Sequence, residues 1–220
     1  QESGKPLGPE LQDLRGVKFT DADLSGLNLD GCNFSGCEMS RCNLSEARCP
    51  SANFNGATLY EACLYGAEFL GSTFRKANLT ECSAVKTGFG MTDLTESNFF
   101  KANLEDATLV DAELRQADFR AAKMPRCRLL EADLEGTDLM QADLKDADLC
   151  ETNIDGANFR HASLRGAQFR DARGYTKADW IGADIRDIDF AGAYLVRQHI
   201  IDENFLYEYK HQSKVTRCVY

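Results

Sequence analysis

Residues 12–36 read QDLRG VKFTD ADLSG LNLDG CNFSG, blocks of five whose third letter is always Leu or Phe. The phase continues without an insertion to AQFRD at 167–171, which makes 32 consecutive pentapeptides. Their third positions, from Leu14 to Phe169, hold 17 Leu, 10 Phe, 2 Met, Ile154, Cys49 and Ala84, so all are apolar in a chain that is 43% hydrophobic overall. Their first positions are mostly Ala, with Cys, Thr and Ser supplying most of the rest. A period of five fits neither an amphipathic helix nor a simple strand, whose side chains repeat at 3.6 and 2. It fits a chain that turns after every block, with the large third residue and the small first residue facing inward and the others facing outward. Four such sides close a square coil of about 20 residues, and coils stack at about the 4.8 Å spacing of paired strands. A single coil cannot bury its own apolar groups, whereas a stack builds a continuous core.

The blocks resemble the A(D/N)LXX pattern of the pentapeptide-repeat family: ADLSG at 22–26, ANFNG at 52–56, ANLED at 102–106 and ADLKD at 142–146 match it nearly letter for letter. The resemblance implies an all-β solenoid, a right-handed quadrilateral β-helix. Functions vary widely within the family, so the fold alone does not specify one.

After Phe169 the phase slips by one residue across 173–177 and resumes with third positions Trp180, Ile185, Phe190 and Leu195. A solenoid over 12–197 then has about nine coils and a length of about 43 Å. The slip reads as a bulge at a corner, with Gly174 supplying the permissive backbone. Residues 1–11 are expected to be a flexible N-terminal segment, since Pro6 and Pro9 oppose regular structure. The spacing over 198–214 predicts an amphipathic α-helix with Ile200, Ile201, Phe205, Leu206 and Tyr209 on one side, capping the last coil, and 215–220 form a tail. Helices in this position pair molecules in some family members, so the resemblance adds a homodimer as an expectation.

Charge and motifs narrow the chemistry. The net charge is −10, which opposes a sequence-independent grip on nucleic acid, an effect driven by Lys and Arg. No stretch has the uncharged apolar length of a membrane span, and no basic segment followed by an apolar one opens the chain. Cys32, Cys37, Cys42, Cys82 and Cys127 take the small inward position and Cys49 the large one, where they act as small hydrophobes. Cys63 and Cys150 face outward, Cys218 lies in the tail, and no two cysteines share a corner of adjacent coils. Neither a disulfide framework nor a metal site is expected, and free cysteines fit a reducing, cytoplasmic setting. The motifs of P-loop enzymes, serine hydrolases, zinc proteases and thiol redox proteins are absent, so no catalytic residue and no cofactor is assigned. The outward carboxylates sit on a convex rod with no cleft to perturb them.

Two functions remain. One is a rigid, non-enzymatic scaffold that binds a protein partner. The other follows from the family resemblance: some members that protect against quinolones bind DNA gyrase, a type II topoisomerase, with an acidic, duplex-sized rod that mimics DNA. Here the outward acids are spread over all sides with bases interleaved, whereas a phosphate mimic concentrates one sign on one face. Numbering the sides from Leu14, Phe19, Leu24 and Leu29, the fourth side carries Leu70, Gly90, Val110, Leu130 and Cys150 just after its large residues, with Met91 beside Gly90. This predicts an apolar strip on the outside of the rod, flanked by Asp111 and Glu131, as a contact for a partner or a second copy. The second side offers a weaker rival in Tyr60, Phe100 and Met140, broken by Thr80 and Arg120.

Overall fold

The computed structural model describes residues 12–175 and 177–191. The architecture follows from where each block sends its backbone donors. The third residue's N–H donates to the second residue of the next coil, as Phe34 to the Asn53 carbonyl at 2.7 Å. The second residue's N–H donates one coil back, as Asn53 to the Cys32 carbonyl at 2.9 Å, and the fifth donates one coil on, as Arg41 to the Tyr60 carbonyl at 2.8 Å. The first residue's N–H closes the preceding turn, as Cys37 to the Phe34 carbonyl at 3.0 Å. These ladders leave over the N–H of the fourth residue.

That leftover donor explains the Asn and Asp of the second position. Their Oδ1 accepts the N–H two residues on: Ser35 to Asn33 at 3.1 Å, Phe100 to Asn98 at 2.9 Å, Met140 to Asp138 at 3.0 Å. A shielded N–H left without an acceptor costs about 1–3 kcal/mol, so the side chain completes the turn.

Parallel bridges pair each second position with the residue 20 further on, from Asp13↔Asn33 to Asn153↔Arg173. Five-residue sides at that offset make a four-sided β-solenoid. Beyond Arg173 the offset becomes 21, as in Asn158↔Asp179, so the extra residue lies between Arg173 and Asp179. Gly174 has φ +90° there, and a Cβ on it would lie 2.4 Å from the Asp155 nitrogen.

The corners hold a feature that sequence reading missed. Every fifth position from Gly16 to Asp171 has a left-handed φ between 54° and 75°, as a type II turn requires at that place, and most of these residues are not glycine. An L-residue in that region costs about 1–2 kcal/mol. Each non-glycine corner therefore holds strain that the turn bond and inter-coil bonds offset. The recurrence of Gly at fifth positions was the available signal.

The core fills the axis. Phe34, Phe54 and Phe74 stack with centroids 4.8 and 4.6 Å apart, Phe99 lies on Phe119 at 4.7 Å, and Trp180 lies on Phe159 at 4.6 Å. Inward first-position hydroxyls are satisfied by main chain, as Thr87 to the Leu64 carbonyl at 2.7 Å and Thr137 to the Leu114 carbonyl at 2.8 Å. Third positions from Leu29 to Phe169 are buried. Leu14, Phe19 and Leu24 face inward as the period expects but are only half-buried. They belong to the first described coil, which a neighbouring described coil covers on one side only. Val17, in the same coil, is 43% exposed. Residues 1–11, Leu195, the expected helix over 198–214 and the tail 215–220 lie outside the described residues.

Candidate interaction surface

The strip on the fourth side is built by one hydrogen-bond ladder. The corner N–H groups of Gly71, Met91, Asp111 and Glu131 donate to the carbonyls of Gly90, Val110, Leu130 and Cys150 at 3.1, 2.9, 3.0 and 3.1 Å. The ladder stacks the four carbonyl-bearing residues in register, with Leu70 at the lower end, where the Ser51 N–H meets its carbonyl at 3.0 Å. A Cβ on Gly90 would lie 3.5 Å from Leu70 Cδ1, so the Leu70 side chain leans along the strip over Gly90. Leu70 and Met91 are 56% and 63% exposed, the largest such values among the described large hydrophobic residues, and Val110, Leu130 and Cys150 are half-buried. Pro50 belongs to the same column, since its carbonyl accepts from the Gly31 N–H at 2.9 Å, and sequence reading passed over it. The apolar run from Pro50 to Cys150 is about 24 Å long. It ends at Asp30 on one side and at Arg170 on the other.

Cys150 strengthens the apolar character. Burial, followed by its neighbour Asp148, pushes its thiol up to about 11, so it stays neutral at physiological pH. The second-side rival is different. The Lys101 ammonium lies 5.1 Å and the Arg120 guanidinium 5.6 Å from the centre of the Phe100 ring, so two cations cover its middle.

Many charges elsewhere on the surface are paired, although Glu46, Glu61, Glu81 and Asp146 on the other corners have no ion pair among the described residues. Arg41 reaches Asp21 one coil below at 2.7 Å, Arg115 reaches Asp133 at 2.6 Å, Arg126 takes Asp106 at 2.7 Å together with Glu105, and Lys76 takes Glu96 at 3.4 Å. Hydrogen bonds from Arg15 hold Asp13 at about 2, and those from Arg41 and Arg126 hold Asp21 and Asp106 below the usual carboxylate range. Partial burial pulls Asp118 upward, but its bonds from Arg120 outweigh this and the net shift is downward. These perturbations arise from exposed or part-exposed ion pairs, which contribute little each.

The corner beside the strip departs from this pattern. Asp111, Glu131, Glu151 and Asp171 occupy it on successive coils, all exposed, and among the described residues none has a basic partner within ion-pair distance. The spacing of the repeats placed Asp111 and Glu131 beside the strip; the isolation of the whole column emerges only from the side-chain positions. No group of His, Cys, Asp and Glu among the described residues could hold a metal ion. The described cysteines carry free thiols. Among the described residues no helix is long and apolar enough to cross a membrane.

Two family models match the chain. One, described as pentapeptide repeats in eight copies, matches residues 13–36, 37–75 and 102–141; the other, a pentapeptide repeat region, matches 122–200. Among solved structures, HetL, a pentapeptide repeat protein involved in heterocyst differentiation regulation from the cyanobacterium Nostoc sp. strain PCC 7120, is similar at 24% identity and TM-score 0.67, over 81% of this chain and 89% of its own. A trypsin-treated form of QnrB1, a plasmid-mediated fluoroquinolone resistance protein, is similar at 18% identity and TM-score 0.58, also over 81% and 89%. At these identities the likeness speaks for the fold. No curated protein sequence matches the chain.

Proposed function

Because the chain belongs to the pentapeptide-repeat family, we propose that it is a non-enzymatic, rigid β-helical scaffold that binds a protein partner through its fourth side. The single observation that carries this reading is the aligned apolar column from Pro50 to Cys150, exposed at Leu70 and at Met91 beside it and half-buried elsewhere. The corresponding first-side residues Arg75, Thr95, Arg115, Glu135 and Asp155 are polar, so the repeat does not require apolar residues there. Single exposed hydrophobes are ordinary, but an aligned run of them marks a contact surface. Among the described residues most of the perturbed carboxylates pair with Arg on a convex surface, Asp23 instead taking hydrogen bonds from Ser25 and Asn43, and they converge on no reacting centre, which supports a binding role over a catalytic one. Free thiols fit a reducing, cytoplasmic setting.

The topoisomerase-binding DNA mimic is the second reading. Its supports are the acidic rod and the isolated acidic corner. Against it, cross-coil Arg and Lys residues neutralise acids on the other corners, so the sign of the field is not uniform. A photo-crosslinking residue at position 110, with a matched control at position 115 on the first side, tests the two in cells of the source organism. A discrete protein adduct at 110 that is absent at 115 is the expected result. Equal or absent adducts, or an adduct to a gyrase subunit together with inhibition of supercoiling, would overturn the scaffold reading.

A further inference from the structure

We propose that the occupant of the fourth side is an amphipathic helix of a partner protein, laid along the rod with its apolar stripe on Pro50–Cys150 and a Lys- or Arg-bearing edge along Asp111, Glu131, Glu151 and Asp171. This rests on the fourth side being the interaction surface and adds the chemistry of what it binds.

The acidic corner is the first support. Carboxylates at about 4.8 Å intervals repel one another. At the neighbouring corners the chain relieves part of such repulsion with its own bases, as in Asp21–Arg41, Glu96–Lys76 and Asp106–Arg126, and an unpaired run there reaches only two coils, at Glu61 and Glu81. Along the fourth-side corner no described residue supplies one, and we assign the complement to the partner. The corner is also tied to the strip: Asp111 and Glu131 donate their N–H groups to the carbonyls of Leu130 and Cys150, so the acidic and apolar columns run side by side over the coils of Val110, Leu130 and Cys150, with Asp171 one coil beyond the strip.

A second copy of the rod does not meet this requirement. Face-to-face packing about a two-fold axis across the rod lays acidic column on acidic column. Packing about an axis along the rod sets Glu151 against Asp148 and Asp171 against Gln168, leaving Glu131 with Arg128 as the one favourable match. An anionic membrane surface is repelled by the same acids.

Spacing favours a helix over an extended peptide. One helical turn advances about 5.4 Å against about 4.8 Å per coil, so side chains stay near register across the strip, and about 16 residues span it. Same-face residues of a strand are about 6.8 Å apart and lose register within a few coils. The ladder that builds the strip also uses its carbonyls internally, which leaves no sheet edge for strand addition.

The test uses two labelled peptides of about 18 residues with an identical leucine stripe, one bearing a lysine edge and the other a glutamate edge, titrated by fluorescence anisotropy against the full chain. The lysine-edged peptide is expected to bind at least about tenfold more tightly. Val110→Lys with Leu130→Lys, and separately Glu131→Lys with Glu151→Lys, should each weaken it by about tenfold or more, with thermal melts confirming the fold. Glu46→Lys with Glu81→Lys, the same charge change on other corners, should alter it less than about twofold. If that control weakens binding as much, or the Glu131 and Glu151 changes do nothing, the proposal is overturned. Tighter binding of the glutamate-edged peptide that still depends on Val110 and Leu130 overturns the basic helix but keeps the fourth side as a contact. Binding indifferent to Val110 and Leu130 overturns both.

Discussion

Phe99 and Phe100 are adjacent in sequence and should lose very different amounts of stability on the same truncation. Phe99 is fully buried, stacked on Phe119 at 4.7 Å with rings 6° apart and edge-on to Phe89 at 5.9 Å. Removing a buried Phe side chain costs about 3–5 kcal/mol, and more when the surroundings cannot collapse into the space. Here the coil spacing is held by hydrogen bonds above and below, Phe99 to Asp118 at 2.7 Å among them, so the walls stay apart. Phe99→Ala should therefore lose about 4 kcal/mol. Phe100→Ala, outward and half-buried beneath Lys101 and Arg120, should lose about 1 kcal/mol or less. Urea unfolding of both variants with a common m-value measures the contrast. A double-mutant cycle of Phe99→Leu and Phe119→Leu should show a coupling of about 0.5–1.5 kcal/mol from the stacked pair. Phe99→Asp should yield no soluble fold, because it buries an unpaired charge on the axis. Equal losses at 99 and 100, or a soluble Phe99→Asp chain with an ordinary melt, would refute the inward assignment on which the fold rests.

The corners give a second pair of expectations. Gly174→Ala should destabilise by about 2 kcal/mol or more, since its Cβ would meet the Asp155 nitrogen and Cα at 2.4 and 2.6 Å with backbone that cannot move aside. Ala121→Gly, at φ 55°, should raise the melting temperature because glycine relieves the left-handed strain, and a lowered one would count against strained corners. Thiol titration in denaturant should return nine free thiols, and a count of seven or fewer would show a disulfide. Burial pushes the Cys32 thiol up to about 11 and the Cys42 thiol up to about 12, from 9.0. Their contribution is full below about pH 9 and is lost as pH rises toward 12, because the unfolded chain ionises first; a melting temperature constant from pH 8 to 11 would contradict their burial. At the acid end, Asp13, Asp21 and Asp106 have lowered folded values, so their contribution is present above about pH 4 and fades as pH falls toward 2. Raising salt should shrink that acid effect, since these pairs are exposed.

The five-residue period was enough to read the architecture. An apolar third residue in each block, from Leu14 to Phe169, states which residue faces the axis, and the multiple of four blocks states which residues share a column. Both are local rules repeated along the chain, and the bridges from Asp13↔Asn33 onward follow them. The same arithmetic located Leu70, Val110 and Leu130 in one line. It did not reveal the left-handed corners at residues such as Glu131 and Lys101, because charged letters there carry no backbone signature of their own. Nor could it say that Arg126 would turn to Asp106, that Lys101 and Arg120 would cover Phe100, or that Asp111, Glu131, Glu151 and Asp171 would have no basic partner among the described residues. Those outcomes depend on rotamers chosen between residues about one coil apart, where several partners compete within reach of each long side chain. Inward packing leaves one answer per position, and a period can encode it; on the outside each side chain has several, and only the three-dimensional neighbourhood selects among them.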